Sequence, residues 1–247
     1  MAEFPASWFT HHRPLILGHR GASHAAPQNT LKAFRLALEQ GADGVELDVH
    51  LSRDGVPVII HDARVDAHTD GHGAVADLTL AELKILDAGE GERIPTLEEV
   101  LTSLPDTFII NIELKSESLV QGALERTVAA LVKRLGATGR VWFSSFNPFA
   151  LRRMQPLAPD VPCGLLYDET YPPPLLRRLL TPFTPHTALH PHHPLLTAEF
   201  IKAAHARGKR VFTWTLDDPE RARELAAWGL DGIITNEPDR VLRALGR

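Results

Sequence analysis

Two short stretches, Glu46-Leu47-Asp48 and Val58-Ile59-Ile60-His61, carry side chains able to do chemistry and lie on either side of a turn signal at Asp54-Gly55. Between Val45 and Leu51, apolar Val45, Leu47, Val49 and Leu51 alternate with Glu46, Asp48 and His50, so a strand here puts both carboxylates on one face. Neighbouring carboxylates repel unless a cation neutralises them, and a hard divalent metal with oxygen ligands is the common solution. A two-residue hairpin closed by Asp54-Gly55 pairs Arg53 with Val56 and, counting back, His61 with Asp48. An imidazole then stands beside the carboxylates. The competing reading is a solvated polar face of an amphipathic strand. A second segment of the same kind weakens it: Ile110-Asn111-Ile112-Glu113-Leu114-Lys115 places Asn111, Glu113 and Lys115 on one face.

A third segment, Leu15-Ile16-Leu17-Gly18-His19-Arg20-Gly21, reads as a buried strand ending in His19 and Arg20, with Gly21 letting the chain turn sharply. The planar guanidinium of Arg20 offers a fixed fork of donors to an oxyanion, and Lys115 adds a point charge from another strand. Together they suggest a phosphate pocket. The plainer alternative is a core histidine beside a surface arginine.

These residues need a frame that brings strand ends together. Short apolar runs near Leu15 to Leu17, Val45 to Leu51, Phe108 to Leu114, Val141 to Ser144, Gly164 to Tyr167, Ala188 to His190, Val211 to Thr215 and Gly232 to Thr235 alternate with helical stretches. Helical periodicity runs from Leu31 through Leu38 after an Asn29 or Thr30 cap, over Leu119 to Leu135, from Leu151 onward, and over Leu175 to Leu180, Phe200 to Ala206 and Ala222 to Trp228. Gly41, Gly136, Gly208 and Gly229 follow four of these, as glycine does just past a helix end. Eight strands alternating with helices argue for a single α/β domain over 1–247, a (β/α)8 TIM barrel. The hairpin strand Val56 to Ile60 is extra to it. Asp62 to Pro95, glycine-rich with one short helix at Leu80 to Leu86, reads as a small insertion over the barrel mouth after the second strand.

At 247 residues and 44% hydrophobic composition the chain can bury a sizeable core, and its net charge of -5 offers no general basic field to nucleic acid or an anionic membrane. The single cysteine, Cys163, has no internal disulfide partner and reads as a small buried residue. No apolar run approaches the roughly 18 residues of a membrane span, and Met1 to Phe9 lacks a secretory pattern. A cytoplasmic protein is expected.

Read in order, the blocks His19-Arg20-Gly21, Pro27-Gln28-Asn29-Thr30-Leu31, Glu46-Leu47-Asp48-Val49 and Asp54-Gly55-Val56-Pro57-Val58-Ile59-Ile60-His61-Asp62 resemble the opening motifs of the glycerophosphodiester phosphodiesterase family. Asn111-Ile112-Glu113-Leu114-Lys115, Ser144-Ser145-Phe146, Thr213-Trp214-Thr215 and Asp231-Gly232-Ile233-Ile234-Thr235-Asn236-Glu237-Pro238 resemble its later signatures, so the likeness runs from about Leu15 to Leu242. The resemblance implies a TIM barrel with an insertion after the second strand. It also implies hydrolysis of a small-molecule glycerophosphodiester to sn-glycerol 3-phosphate and an alcohol. Glu46, Asp48 and Glu113 would bind one divalent cation, Mg2+ or Ca2+, His19 and His61 would act as general acid and base, and Arg20 and Lys115 would hold the phosphate. Phe146 and Trp214 sit at strand ends and suit a wall against the glycerol carbons, or ordinary core positions.

The chain departs from the family pattern at three places. Gln28 replaces a usual glutamate, Ala67-His68-Thr69-Asp70-Gly71 stands where an Arg-Thr-Thr run is common, and Asn236 replaces a frequent aspartate, a change that reads as structural. His24, His50, His68 and His72, with His190, His192 and His193 elsewhere, would suit a histidine-rich metal site, but a His-x-His ending the first strand is absent. Two other functions compete. A lysophospholipase D needs an apolar groove from the insertion, where Val65, Val75 and Leu78 are the sizeable apolar residues before the helix. A non-catalytic phosphate-binding barrel has no need for three clustered carboxylates.

Overall fold

The branched runs pair side by side as parallel strands in the computed structural model, which describes all residues except 1, 10–12, 117, 171–174 and 176–178. The strands are β1 (Leu15–His19), β2 (Gly44–Leu51), β3 (Pro57–Ile59), β4 (Ile109–Leu114), β5 (Val141–Ser145), β6 (Cys163–Tyr167), β7 (Ala188–Pro191), β8 (Arg210–Thr213) and β9 (Gly232–Thr235). They run β1-β9-β8-β7-β6-β5-β4-β2 in space, and β1 pairs again with β2, so eight parallel strands close into a barrel. A closed parallel sheet buries both faces of every strand, which is why these segments read as nearly continuous apolar runs. Polar residues within such runs therefore stand out.

Helices cover the outside. They are α1 (Leu31–Glu39), α2 (Leu80–Lys84), α3 (Leu97–Ser103), α4 (Ala123–Arg134), α5 (Pro148–Leu157), α6 (Ala198–His205), α7 (Pro219–Ala227) and α8 (Pro238–Ala244). Outward strand residues such as Val45, Leu47, Ile110 and Ile112 pack against Phe34, Val100 and Val128 of these helices. Each such buried side chain is worth roughly 1.5–3 kcal/mol. Thr30, not Asn29, caps α1, accepting from the Ala33 amide. The helix expected from Leu119 begins only at Ala123, leaving Leu119 and Val120 exposed. Helix α5 begins at Pro148, ahead of Leu151, with Asn147 as its cap. Helices α3 and α8 escaped the periodicity reading, although Thr96 and Glu99 form a capping box at the start of α3. The helix expected at Leu175 to Leu180 lies partly outside the described residues.

The hairpin register differs from expectation by one residue. Strand β3 runs antiparallel to β2 with Leu51 opposite Pro57 and Val49 opposite Ile59, so Ile60 rather than His61 faces Asp48, its amide donating to the Asp48 carbonyl at 3.1 Å. The Ser52 amide donates to the Val56 carbonyl and the Gly55 amide to Ser52, closing a three-residue loop in which Gly55 takes φ 80°. Asp-Gly serves such loops as readily as two-residue ones, with glycine at the left-handed position. Beyond β3, residues 62–95 carry α2 and bury Val65, Val75, Leu83 and Ile94 with Val58 and Ile60 in a core of their own. Helix α2 stops at Lys84, short of Leu86. Among the described residues no helix is long and apolar enough to cross a membrane.

Candidate active site

Barrel register decides which polar side chains meet. His19 lies opposite Glu46, Glu46 opposite Asn111, Asp48 opposite Glu113 and Glu113 opposite Ser144, so adjacent strands deliver these residues in successive layers at one end of the barrel. Glu46, Asp48 and Glu113 are all buried, and one oxygen of each lies within 4.8 Å of the others. Lys115 Nζ bridges two of them, 2.7 Å from Glu113 Oε1 and 3.0 Å from Asp48 Oδ1.

The turn after β1 supplies the second cation. Arg20 and Asn29 both adopt φ 57°, a left-handed conformation that side chains other than glycine rarely take. Backbone hydrogen bonds hold it: the Arg20 amide donates to the Glu46 carbonyl at 3.0 Å, and the Asn29 amide to the Arg20 carbonyl at 2.9 Å. Gly21 between them, at φ 85°, must lack a side chain, because a Cβ there would lie 2.5 Å from the Ala33 backbone. Strain so over-determined marks a built site. It aims Arg20 inward, with Nε 3.3 Å from Asp48 Oδ2 and Nη1 donating to Gln28 Oε1 at 2.7 Å. Asn29 also serves the site, its amide donating to Asp48 Oδ2 at 2.8 Å. The sequence reading had offered Asn29 only as a helix cap.

The two histidines flank this cluster in different surroundings. Burial and the neighbouring Arg20 push His19 down to about 4. Its Nδ1 lies 2.7 Å from Asn236 Oδ1, and the Asn236 amide nitrogen donates to Asp217 Oδ2 at 2.7 Å, which fixes the amide so that Nδ1 carries the proton. Asn236 therefore orients His19, correcting the structural reading given to it from sequence. The expected pairing of His61 across the hairpin does not form. Placed one residue past Ile60, His61 still lines the same cavity, and its Nδ1 donates to Asp62 Oδ1 at 2.6 Å. Burial lowers its pKa as well, opposed by Asp48 and Asp62.

His19, Arg20, Glu46, His61, Glu113 and Lys115 line a cavity of about 140 Å³ together with Phe146, Trp214, Leu166 and Ile234. The Phe146 and Trp214 rings meet edge to face at 5.4 Å, and Trp214 Nε1 donates to the His190 carbonyl at 2.8 Å. Both aromatics sit half-buried at the cavity wall, not in the core. His190 itself lies wholly buried inside the barrel against Trp142 and Phe212, so it does not join a histidine-rich metal site.

The donor set fits a hard divalent cation. Burial, with repulsion from Asp48 and Glu113, raises Glu46 well above the usual carboxylate range. Burial likewise raises Glu113, whereas Lys115 and Arg20 overcome burial to hold Asp48 low. Three carboxylates thus face two cationic side chains, and Glu46 is the one least compensated. Three close carboxylate oxygens with an anionic excess suit part of the shell of a hard divalent cation.

The chain is similar over nearly its whole length to known phosphodiesterases. Residues 19–240 match the model of the "Glycerophosphoryl diester phosphodiesterase family". A glycerophosphodiester phosphodiesterase of Caldanaerobacter subterraneus subsp. tengcongensis is 39% identical over 238 residues, covering 93% of this chain and 97% of that protein. Among solved structures, a phosphodiesterase of Oleispira antarctica in complex with the product sn-glycerol-3-phosphate superposes with a TM-score of 0.82 at 33% identity, over 95% of this chain and 98% of that one. The glycerophosphodiester phosphodiesterase of Thermotoga maritima does so with a TM-score of 0.77 at 33% identity, over 96% and 100%. Barrel, strand-end residues and sequence kinship converge: this chain belongs to the glycerophosphoryl diester phosphodiesterase family and is an enzyme of that activity.

Proposed function

We propose that the enzyme hydrolyses glycerophosphodiesters to sn-glycerol 3-phosphate and an alcohol, using one Mg2+ or Ca2+ ion held by Glu46, Asp48 and Glu113. The observation that carries this reading is the meeting of three buried carboxylates with Arg20, Lys115 and two histidines around one cavity. The bound product of the Oleispira relative supports the substrate class. When bound, the cation would offset negative charge growing on the phosphoryl oxygens.

Arg20 and Lys115 hold the phosphate, while Phe146 and Trp214 pack against the glycerol carbons. His19 is the proton acceptor: neutral at pH 7 and with Nδ1–H committed to Asn236, it presents a free lone pair on Nε2. His61 is the proton donor to the departing alcohol: Asp62 holds its Nδ1–H, and with Asp48 it counters part of the burial that lowers the imidazole's pKa. We read 1–247 as one barrel domain with 62–95 as its insertion. Burial of Val65 and Val75 in the insertion's own core favours this reading over a lysophospholipase D, which would draw on them for an apolar groove.

Purified protein incubated with glycerophosphocholine or glycerophosphoethanolamine and Mg2+ or Ca2+ should release sn-glycerol 3-phosphate, read by coupled dehydrogenase assay. Folded protein that releases none from several headgroups would sink the proposal.

A further inference from the structure

Three residues at the mouth of the barrel, Gln28, Asp62 and His68, lie between two parts of the site that the reading above treats separately. Arg20 Nη1 donates to Gln28 Oε1 at 2.7 Å. Gln28 Nε2 lies 2.8 Å from His68 Nδ1 and 3.1 Å from its Nε2, so the amide rests over the face of the imidazole. His68 Nε2 lies 3.2 Å from Asp62 Oδ2, and Asp62 Oδ1 lies 2.6 Å from His61 Nδ1. Arg20 donates to the amide oxygen, and His68 Nε2–H and His61 Nδ1–H each donate to one Asp62 oxygen.

We infer that His68 is a positioning residue which, through Asp62, holds His61 in place. Gln28, whose amide oxygen accepts from Arg20 and whose amide nitrogen rests on the His68 ring, and His68 itself are two of the places where the chain departs from its family pattern. His68 comes from the insertion, so the lid segment is tied to the general acid by a hydrogen-bonded link instead of resting on it. Each member has few alternatives: Gln28 and His68 are both half-buried, and Asp62 spends both oxygens on the two histidines. With Asp62 held from both sides, the linked bonds fix side-chain direction more firmly than each would singly.

The inference rests on the catalytic reading of His61, and the test separates the two. Steady-state kinetics on glycerophosphocholine with saturating Mg2+ would compare wild type with His68→Leu, His68→Gln, Asp62→Ala, the double variant His68→Leu/Asp62→Ala, and His61→Gln. Misplacing a reacting group by about an ångström can cost up to ~100-fold, so His68→Leu should lower kcat substantially. His68→Gln should restore most of it, because an amide also donates to Asp62. The double variant should be no worse than Asp62→Ala alone, as expected of residues acting through one another. Wild-type kcat in His68→Leu beside a crippled His61→Gln overturns the chain alone. So do equal losses in the Leu and Gln variants, or additive losses in the double variant. Full activity in His61→Gln would overturn the catalytic reading and this inference with it.

Discussion

The two ends of this barrel are made from the same strands and the same alternating inward positions, yet one end is aromatic and the other charged. At the N-terminal end Leu15, Ile109, Trp142 and Phe212 fill the interior, closed from below by Phe4, whose ring lies 5.7 Å from Trp142 and 5.5 Å from Phe212. Two to four residues further along the same strands stand His19, Glu46, Asp48 and Glu113. Because all eight strands are parallel, every strand enters at one end and leaves at the other, so packing and chemistry are separated by roughly 7–13 Å of strand. Burial stabilises the first end and opposes the charged forms in the second. The turn residues Arg20 and Asn29, with Lys115 one residue past β4, offset that opposition by supplying counter-charge and donors.

That division should be breakable by substitution. The largest effects belong to the charged end. Replacing His19 or His61 by glutamine should lower kcat by ~10²–10⁴-fold, with the melting temperature near wild type. A collapse in stability instead would mean that the imidazoles hold the fold. Lys115→Met should follow, losing ~10²–10³-fold in kcat because one fixed donor to the developing charge is gone. At the aromatic end Trp142→Ala should destabilise by about 3–5 kcal/mol in urea unfolding, while each folded molecule keeps its turnover. An activity loss beyond the unfolded fraction would show that the ends are coupled.

Acid sensitivity gives a smaller, graded test. His190 is pushed down to about 3 by burial, with no partner for either ring nitrogen among the described residues, and His19 to about 4. Both folded values lie below the unfolded value of about 6.5, so below that pH the unfolded chain binds more protons and stability falls as pH falls. Each histidine contributes about 1.4 kcal/mol per pH unit over the window down to its folded value. His190→Leu should flatten the slope of unfolding free energy between pH 6 and 4, and an unchanged slope would contradict the burial. The smallest expected effect is Asn236→Asp, which places a carboxylate beside His19. It should move the acidic limb of the kcat/KM profile to higher pH, and a profile that stays put would remove Asn236 from the site.

Much of this arrangement was legible in the sequence because period-2 alternation and strand ends are local properties. Glu46 with Asp48, and Asn111 with Glu113 and Lys115, could be placed on shared faces from spacing alone, and the register then brought the faces together. Reading failed where geometry depends on the turn or on a distant partner. Asp54-Gly55 fits two loop lengths, so His61 was misplaced by one residue opposite Asp48. Asn29 and Thr30 stood as alternative helix caps, since nothing local shows that Thr30 takes that role while Asn29 turns to Asp48. Asn236 contacts a residue 217 positions away, a separation no local pattern encodes.

The central claim is that Glu46, Asp48 and Glu113 hold one divalent ion on which turnover depends. Calorimetric titration of Mg2+ or Ca2+ into chelator-stripped protein, with hydrolysis followed over the same concentrations, tests it most directly. The account predicts one equivalent bound by wild type, activity rising with that occupancy, and both lost in a folded Glu113→Gln variant. Undiminished turnover in the stripped enzyme, or unchanged binding in Glu113→Gln, would contradict it.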